Sequence, residues 1–107
     1  MKIFDGSTFI EKEKLIKEGI KHPIKLEYYK LINEDEIIQK KKPKFGIDVV
    51  KTEYIEDKIK VENKCIPYMS DDENKVDEIL NIFKENKVTP IAVEDIIVDL
   101  SKKSMFI

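Results

Sequence analysis

The sequence predicts an α+β domain in which an antiparallel meander of three to four strands is followed by two C-terminal helices packed on one face of the sheet. In the first part of the chain, apolar and polar residues alternate, as is typical of half-buried strands. After residue 70, apolar residues recur at i, i+3, i+4 and i+7, as on one face of a helix. A one-faced sheet and two one-faced helices bury these surfaces together.

Length and composition fit one folded domain spanning residues 1–107. Hydrophobic residues make up 41% of the chain and charged residues 39%, which is unlike a disordered segment. No apolar run approaches the roughly 18 residues of a membrane-spanning helix, and "MKIFDGSTF" lacks the apolar core of a signal peptide. The single cysteine excludes an intramolecular disulfide. We therefore expect a cytoplasmic protein with no membrane partner.

Two runs predict strands with a clear buried face. "IKLEYYKLI" (Ile24–Ile32) is rich in residues that favour strands, and "FGIDVVKTEYI" (Phe45–Ile55) alternates with period two. The predicted inward residues are Leu26, Tyr28 and Ile32 in the first run, and Phe45, Ile47, Val49 and Ile55 in the second.

A third strand is predicted over "KIKVENKCIPYM" (Lys58–Met69), joined to the second by a short polar hairpin connection, "EDK". Its inward face is predicted to carry Ile59, Val61, Cys65 and Met69. Residues 8–18 precede these strands and are compatible with a helix or a strand. We favour the strand slightly, because the four charged residues "EKEK" would interrupt the apolar face of a helix.

The first helix is predicted from "SDDENKVDEILNIFKEN". Ser70 and Glu73 have the spacing of a capping box, and Asn86 is suited to the left-handed conformation that ends many helices. The apolar stripe consists of Val76, Ile79, Leu80 and Phe83.

The second helix is predicted from "NKVTPIAVEDII", with Thr89 as N-cap and Pro90 at the first helical position. Its stripe consists of Val93, Ile96, Ile97 and Leu100. The adjacent acids Glu94 and Asp95 suit a helix N-terminus and need no catalytic explanation. The predicted core is Leu26, Ile47, Val49, Ile59, Val61, Val76, Ile79, Leu80, Phe83, Ile96, Ile97 and Leu100.

Candidate chemical groups are few. His22 is the single histidine and Cys65 the single cysteine, so no zinc-site spacing exists, and we interpret Cys65 as a buried structural thiol. The three glycines are too widely separated to form a phosphate-binding loop. We expect no enzyme activity, no catalytic residue, no cofactor and no metal.

Two surfaces are candidates for binding. The first consists of Tyr29, Tyr54 and Tyr68, which fall on the strand faces opposite the predicted core and suit a protein interface. It favours a non-catalytic protein-interaction or regulatory module that binds a protein partner or itself. The alternative is nucleic-acid binding by a basic loop, which is disfavoured by the net charge of −2 and the absence of arginine. Its candidate contacts are Lys40, Lys41, Lys42 and Lys44.

The order of "YYKLI", "FGIDVVK", a capped helix and "NKVTPIAVEDII" resembles a family of small uncharacterised proteins, a domain of unknown function found mainly in clostridia and related spore-forming Gram-positive bacteria. The resemblance extends over Lys25–Leu100, and its most specific part is "VTPIAVEDII", in which relatives often carry histidine in place of Ala92. It implies a fold type and a cytoplasmic bacterial setting. It implies no catalytic residues.

Overall fold

The computed structural model describes residues 1–10, 22–33 and 43–102. Within them the elements are β1 (Lys2–Ile10), β2 (Ile24–Ile32), β3 (Phe45–Ile55), β4 (Lys58–Ser70), α1 (Glu73–Glu85), a one-turn 3₁₀ helix (Pro90–Ala92) and α2 (Val93–Lys102). These strands form one sheet in the order β1-β2-β3-β4, and every neighbouring pair is antiparallel. The predicted α+β meander with two C-terminal helices is confirmed. For the ambiguous segment, residues 8–10 belong to β1, and 11–18 lie outside the described residues.

The core lies between one face of the sheet and the two helices. The buried apolar residues are Ile24, Leu26 and Tyr28 of β2, Phe45, Ile47 and Val49 of β3, Val76, Ile79, Leu80 and Phe83 of α1, Val88, and Val93 and Leu100 of α2. The alternating pattern of β2 and β3 and the helical stripe of α1 are thus confirmed. Ile96 and Ile97 pack against this core but are only partly buried. We call the sheet face that meets the helices the helix side, and the opposite face the outer face.

The core prediction is wrong for Ile59 and Val61, which are 65% and 60% exposed. In the observed register, Ile59 lies opposite Tyr54, and Val61 lies opposite Thr52. Directly opposite residues of an antiparallel pair share a face. Both apolar side chains therefore lie on the outer face, away from the helices.

The length of the β3–β4 turn explains this difference. Ile55 pairs with Lys58, so the turn contains only Glu56 and Asp57, one residue fewer than the predicted "EDK" connection. Because side chains alternate along a strand, a shift of one residue moves all of them to the other face. Lys64, rather than Cys65, consequently pairs with the core residue Val49.

A bulge near the end of β4 depends on a glycine in β3. Ile66 lies opposite Ile47 but Ser70 lies opposite Phe45, so β4 contains extra residues at this point. A Cβ atom added to Gly46 would overlap the backbone carbonyl oxygens of Ile66 and Pro67. The close approach of the two backbones therefore requires glycine at this position.

The N-terminus of α1 differs from the predicted capping box. Asp72 is the N-cap, and its carboxylate accepts a hydrogen bond from the backbone N–H of Asn74 at 3.0 Å. Ser70 is the buried last residue of β4, and its hydroxyl accepts from the backbone N–H of Asp72 at 3.0 Å. The Glu73 carboxylate accepts a hydrogen bond from the Lys30 ammonium group at 2.7 Å. The predicted role of Ser70 is wrong because the sheet holds this residue as part of β4.

The C-terminus of α1 is closed by a Schellman motif with a lysine in the left-handed position. Asn86, predicted for that conformation, has φ −98°, whereas Lys87 has φ 51°. The backbone N–H of Val88 donates to the carbonyl of Phe83 at 3.0 Å, and that of Lys87 donates to the carbonyl of Lys84 at 3.3 Å. The motif thus forms without the glycine that usually occupies this position.

We expect Lys87→Gly to stabilise the protein by about 0.5–1 kcal/mol, because glycine adopts positive φ without the steric cost that a Cβ brings. Urea denaturation should show a higher midpoint with an unchanged slope. The control is Asn86→Gly, at a position with negative φ and a side-chain hydrogen bond to the carbonyl of Ile82, 2.8 Å long. This control should lower the midpoint. A Lys87→Gly midpoint at or below that of the wild type would contradict the prediction.

The stretch "NKVTPIAVEDII" is confirmed as a helix start, with a 3₁₀ turn before the α-helix. Thr89 is the N-cap of that turn, but its side chain makes no capping hydrogen bond; its carbonyl accepts from the backbone N–H of Ala92 at 3.1 Å. Pro90 is buried at the first position. Glu94 and Asp95 lie in the first turn of α2, as predicted.

A buried hydrogen bond joins the sheet to the segment between the helices. The Tyr28 hydroxyl donates to the carbonyl of Val88 at 2.9 Å, and both residues are almost completely buried. Burial raises the pKa of Tyr28 to about 12, so the hydroxyl stays protonated and keeps its role as a donor. Tyr28 therefore holds the segment that connects α1 to α2 against the helix side of the sheet.

Candidate functional site: the outer face of the sheet

The outer face carries large apolar side chains that no described residue buries. The exposed members are Phe4 (55% exposed), Phe9 (57%), Tyr54 (37%), Ile59 (65%) and Val61 (60%). They lie on β1, β3 and β4, so they span the width of the sheet. Isolated exposed apolar residues are common on proteins, but several on one face indicate a binding surface.

Aromatic contacts organise two parts of this face. The rings of Phe4 and Tyr29 meet edge to face with their centroids 5.6 Å apart. The rings of Phe9 and Tyr54 are 6.1 Å apart and tilted by 48°. The Tyr29 hydroxyl donates to a Glu27 carboxylate oxygen at 2.8 Å, and this hydrogen bond, with burial and nearby negative charge, raises the pKa of Tyr29. Both pairs present ring surface to the solvent, as protein interfaces often do.

A polar cluster lies beside the Phe4–Tyr29 pair, centred on the buried carboxylate of Asp48, which lies opposite Tyr29. The Lys2 ammonium nitrogen is 3.0 Å from Asp48 Oδ2, and the Asn63 side-chain amide donates to Asp48 Oδ1 at 3.1 Å. The same ammonium group lies 4.3 Å from the centroid of the Tyr29 ring. The Asp48 charge is therefore compensated within the sheet, and the cluster joins β1 to β4 across the two central strands.

Cys65 lies opposite Asp48 on this face and is exposed, so its interpretation as a buried structural thiol is wrong. The two-residue β3–β4 turn explains the difference, because it turns this face of β4 away from the helices. Partial desolvation and the Asp48 charge raise the pKa of the Cys65 thiol, although Lys2 acts in the opposite direction. The thiol is therefore less activated than an ordinary cysteine, the reverse of what a catalytic nucleophile requires.

A model described as "Family of unknown function (DUF6514)" matches residues 7–103. The chain belongs to this family. The match runs from the middle of β1 past the end of α2. The search of curated proteins gave no match, and the search of solved structures gave none either.

In this DUF6514 chain, a network of charged groups occupies the helix side of the sheet near the β3–β4 turn. His22 Nε2 lies 2.6 Å from Glu53 Oε2, and the Lys51 ammonium nitrogen lies 3.1 Å from Glu53 Oε1 and 2.9 Å from Glu62 Oε1. Burial alone would raise the pKa of Glu53, but hydrogen bonds from Lys51 and His22 outweigh it and lower the pKa. Lys51 thus pairs with both glutamates, and His22 has a structural partner in Glu53.

The three tyrosines predicted as an interaction surface lie at different places. Tyr29 and Tyr54 are on the outer face, each with a phenylalanine partner. Tyr68 is 39% exposed and lies in the bulged part of β4. Tyr54 pairs with Ile59 at the opposite end of that strand, so Tyr68 is far from Tyr54 along β4. Phe4 and Phe9 were not predicted as part of this surface, because period-two alternation would place residues five apart on opposite faces. The register shift of β1 between Phe4 and Gly6 brings both rings to the outer face.

The alternative basic site falls mostly outside the described residues, which include Lys44 but not Lys40, Lys41 or Lys42. The backbone N–H of Lys44 donates to Asp71 Oδ1 at 2.9 Å, and its ammonium group lies 5.6 Å from the Phe45 ring centroid. Nucleic-acid binding through this loop stays a prediction.

The described residues contain no group of three or more histidine, cysteine, aspartate or glutamate side chains arranged to hold a metal ion. Where helices are described, none combines the length and apolarity needed to cross a membrane.

Proposed function

We propose that this DUF6514 chain is a non-catalytic protein-interaction or regulatory module that binds a protein partner through the outer face of its sheet. The observation that carries the proposal is the set of exposed apolar side chains on that face, from Phe4 and Phe9 to Ile59 and Val61. Leaving these groups in water costs free energy that a partner would recover by covering them.

The chemistry of the outer face supports binding rather than catalysis. Its one buried carboxylate, Asp48, is held by Lys2 and Asn63, and its thiol, Cys65, has a raised pKa. Aromatic rings and branched apolar side chains surrounded by polar groups are typical of the centre and rim of protein interfaces.

The proposal includes a cellular setting. We place the protein in the cytoplasm of a clostridial or related spore-forming bacterium. The resemblance of "VTPIAVEDII" supports this setting, as does a chain with a single cysteine and no arginine.

Affinity purification from the native host with three forms of the protein tests the proposal. The outer-face variant carries Tyr54→Thr, Ile59→Thr and Val61→Thr, which keep strand propensity while removing apolar surface. The matched control carries Ile91→Thr and Val98→Thr, at positions 87% and 53% exposed near and on α2. Mass spectrometry should find the same partner enriched by wild type and control, and depleted about tenfold or more with the outer-face variant, as expected when contacts at the interface centre are lost.

Circular dichroism should first show that all three forms are folded. Equal capture of every enriched protein by the outer-face variant and the wild type would contradict the proposal. Turnover of a metabolite by the purified wild type, removed by neither variant, would also contradict it.

A further inference from the structure

The strand β4 forms an exposed edge of the sheet. It pairs with β3 on one side and with no other described strand on its other side. Alternate backbone N–H and C=O groups of an edge strand point outward, where an added strand can bind them. Every residue from Lys58 to Asn63 is exposed, and the register shift of this strand pair lies at its other end. This part of β4 is therefore a regular, accessible edge.

The two faces of this edge segment have different chemistry. Ile59 and Val61 point to the outer face and are 65% and 60% exposed. Lys58, Lys60 and Glu62 point to the helix side, beyond the area that the helices cover. An added strand would therefore lie beside apolar side chains on one face and charged side chains on the other. Its own side chains also alternate between the two faces, so every second residue would meet the same kind of group.

The charges on the helix side of this segment are unequally compensated. The Glu62 carboxylate is paired with Lys51 at 2.9 Å. Glu53, which lies opposite Lys60, is already bound by Lys51 at 3.1 Å and by His22 at 2.6 Å. Neither Lys58 nor Lys60 forms an ion pair with any residue in the described ranges. Within the described part of the chain, the edge thus presents two ammonium groups, two residues apart, that have no ion-pair partner.

We propose that the edge of β4 from Lys58 to Asn63 binds an extended segment of another protein in which acidic and apolar residues alternate. Its acidic side chains lie beside Lys58 and Lys60 on the helix side, and its apolar side chains lie beside Ile59 and Val61 on the outer face. Main-chain hydrogen bonds to the edge supply affinity, and the alternation supplies specificity. This inference rests on the proposed function and names the class of partner.

A second copy of the chain fits this edge less well. The strand β4 contains a single acidic residue, Glu62. A paired copy of β4 can therefore place an acid beside one of the two lysines, Lys58 or Lys60, but never beside both. An acidic segment from another protein neutralises both lysines in the same register.

Titration of ¹⁵N-labelled protein with a blocked heptapeptide of sequence EVEIEVE tests the inference. We expect chemical-shift changes centred on residues 58–63 and slower amide exchange in this strand once the peptide is bound. The Lys58→Glu, Lys60→Glu double variant should bind the peptide at least about tenfold more weakly, because two attractive cross-strand pairs become repulsive. The same variant should bind the blocked peptide KVKIKVK more tightly than the wild type does.

The control carries Lys87→Glu and Lys102→Glu, which change the net charge equally at exposed positions after α1 and at the end of α2. It should bind the acidic peptide within about threefold of the wild type, because long-range effects of exposed charges are screened by salt. No binding, equal losses in the two double variants, or a homodimer broken by Lys58→Glu and Lys60→Glu would overturn the inference. If the acidic peptide does not bind but the outer-face variant still loses the cellular partner, protein binding by the outer face stands. Only the inference that the partner is an acidic, extended segment is then wrong.

Discussion

Phe83→Ala is expected to destabilise the protein by about 3–5 kcal/mol, because it removes an aromatic side chain from the core and leaves a cavity. Phe83 is fully buried on α1 and belongs to the cluster that joins both helices to β2 and β3. Such a loss is a large fraction of the stability of a domain of this size. Urea or thermal denaturation followed by circular dichroism measures it, with the midpoint falling and the unfolding still cooperative.

Two controls make this prediction specific. Phe83→Leu keeps most of the apolar volume and should cost clearly less, about 1.5 kcal/mol or under. Ile91→Ala, at a position 87% exposed, should change stability by no more than about 0.5 kcal/mol. If Phe83→Ala is no more harmful than Ile91→Ala, the position of the core is wrong.

Gly46→Ala is expected to cost about 3 kcal/mol or more, because the new Cβ atom overlaps backbone rather than a movable side chain. The carbonyl oxygens of Ile66 and Pro67 occupy that space, so the bulge of β4 must shift for alanine to fit. Denaturant unfolding gives the size of the loss, and amide chemical shifts around Ile66 should show that the change is centred on the bulge.

Gly6→Ala is the matched control for this substitution. A Cβ atom at Gly6 would meet the Lys84 side chain, with the nearest contact 2.7 Å from Cδ. A lysine side chain can move away by changing rotamer, so the loss should be clearly smaller than for Gly46→Ala. Equal losses for the two glycines would mean that backbone contact at the bulge is not what requires Gly46.

Most of the fold could be predicted from local patterns. The alternation in β2 and β3 and the stripes of α1 and α2 identify one apolar face per element. These faces are buried when both helices pack on the same face of the sheet. The ends of α1 were less predictable, because Ser70 is a good N-cap by type but is held in β4, which leaves that role to Asp72. Capping depends on where the preceding element stops, and local composition does not contain that information.

The candidate site was predicted in part. Tyr29 and Tyr54 were expected to face away from the core, and the register of β2 and β3 places them there. Ile59 and Val61 were assigned to the core, and their place in the candidate site became visible only with the β3–β4 register. Protein binding by this face stays a proposal.

The sequence by itself determined the identity and order of β2, β3, β4 and the two helices, and the presence of an apolar face on each, because these follow from side-chain periodicity within a single segment. Only the tertiary structure decided which face of β4 meets the helices. That choice depends on the pairing of Ile55 with Lys58 across a two-residue turn. A three-residue turn that included Lys58 would have turned Ile59 and Val61 to the helix side of the sheet, since the period of a strand is two.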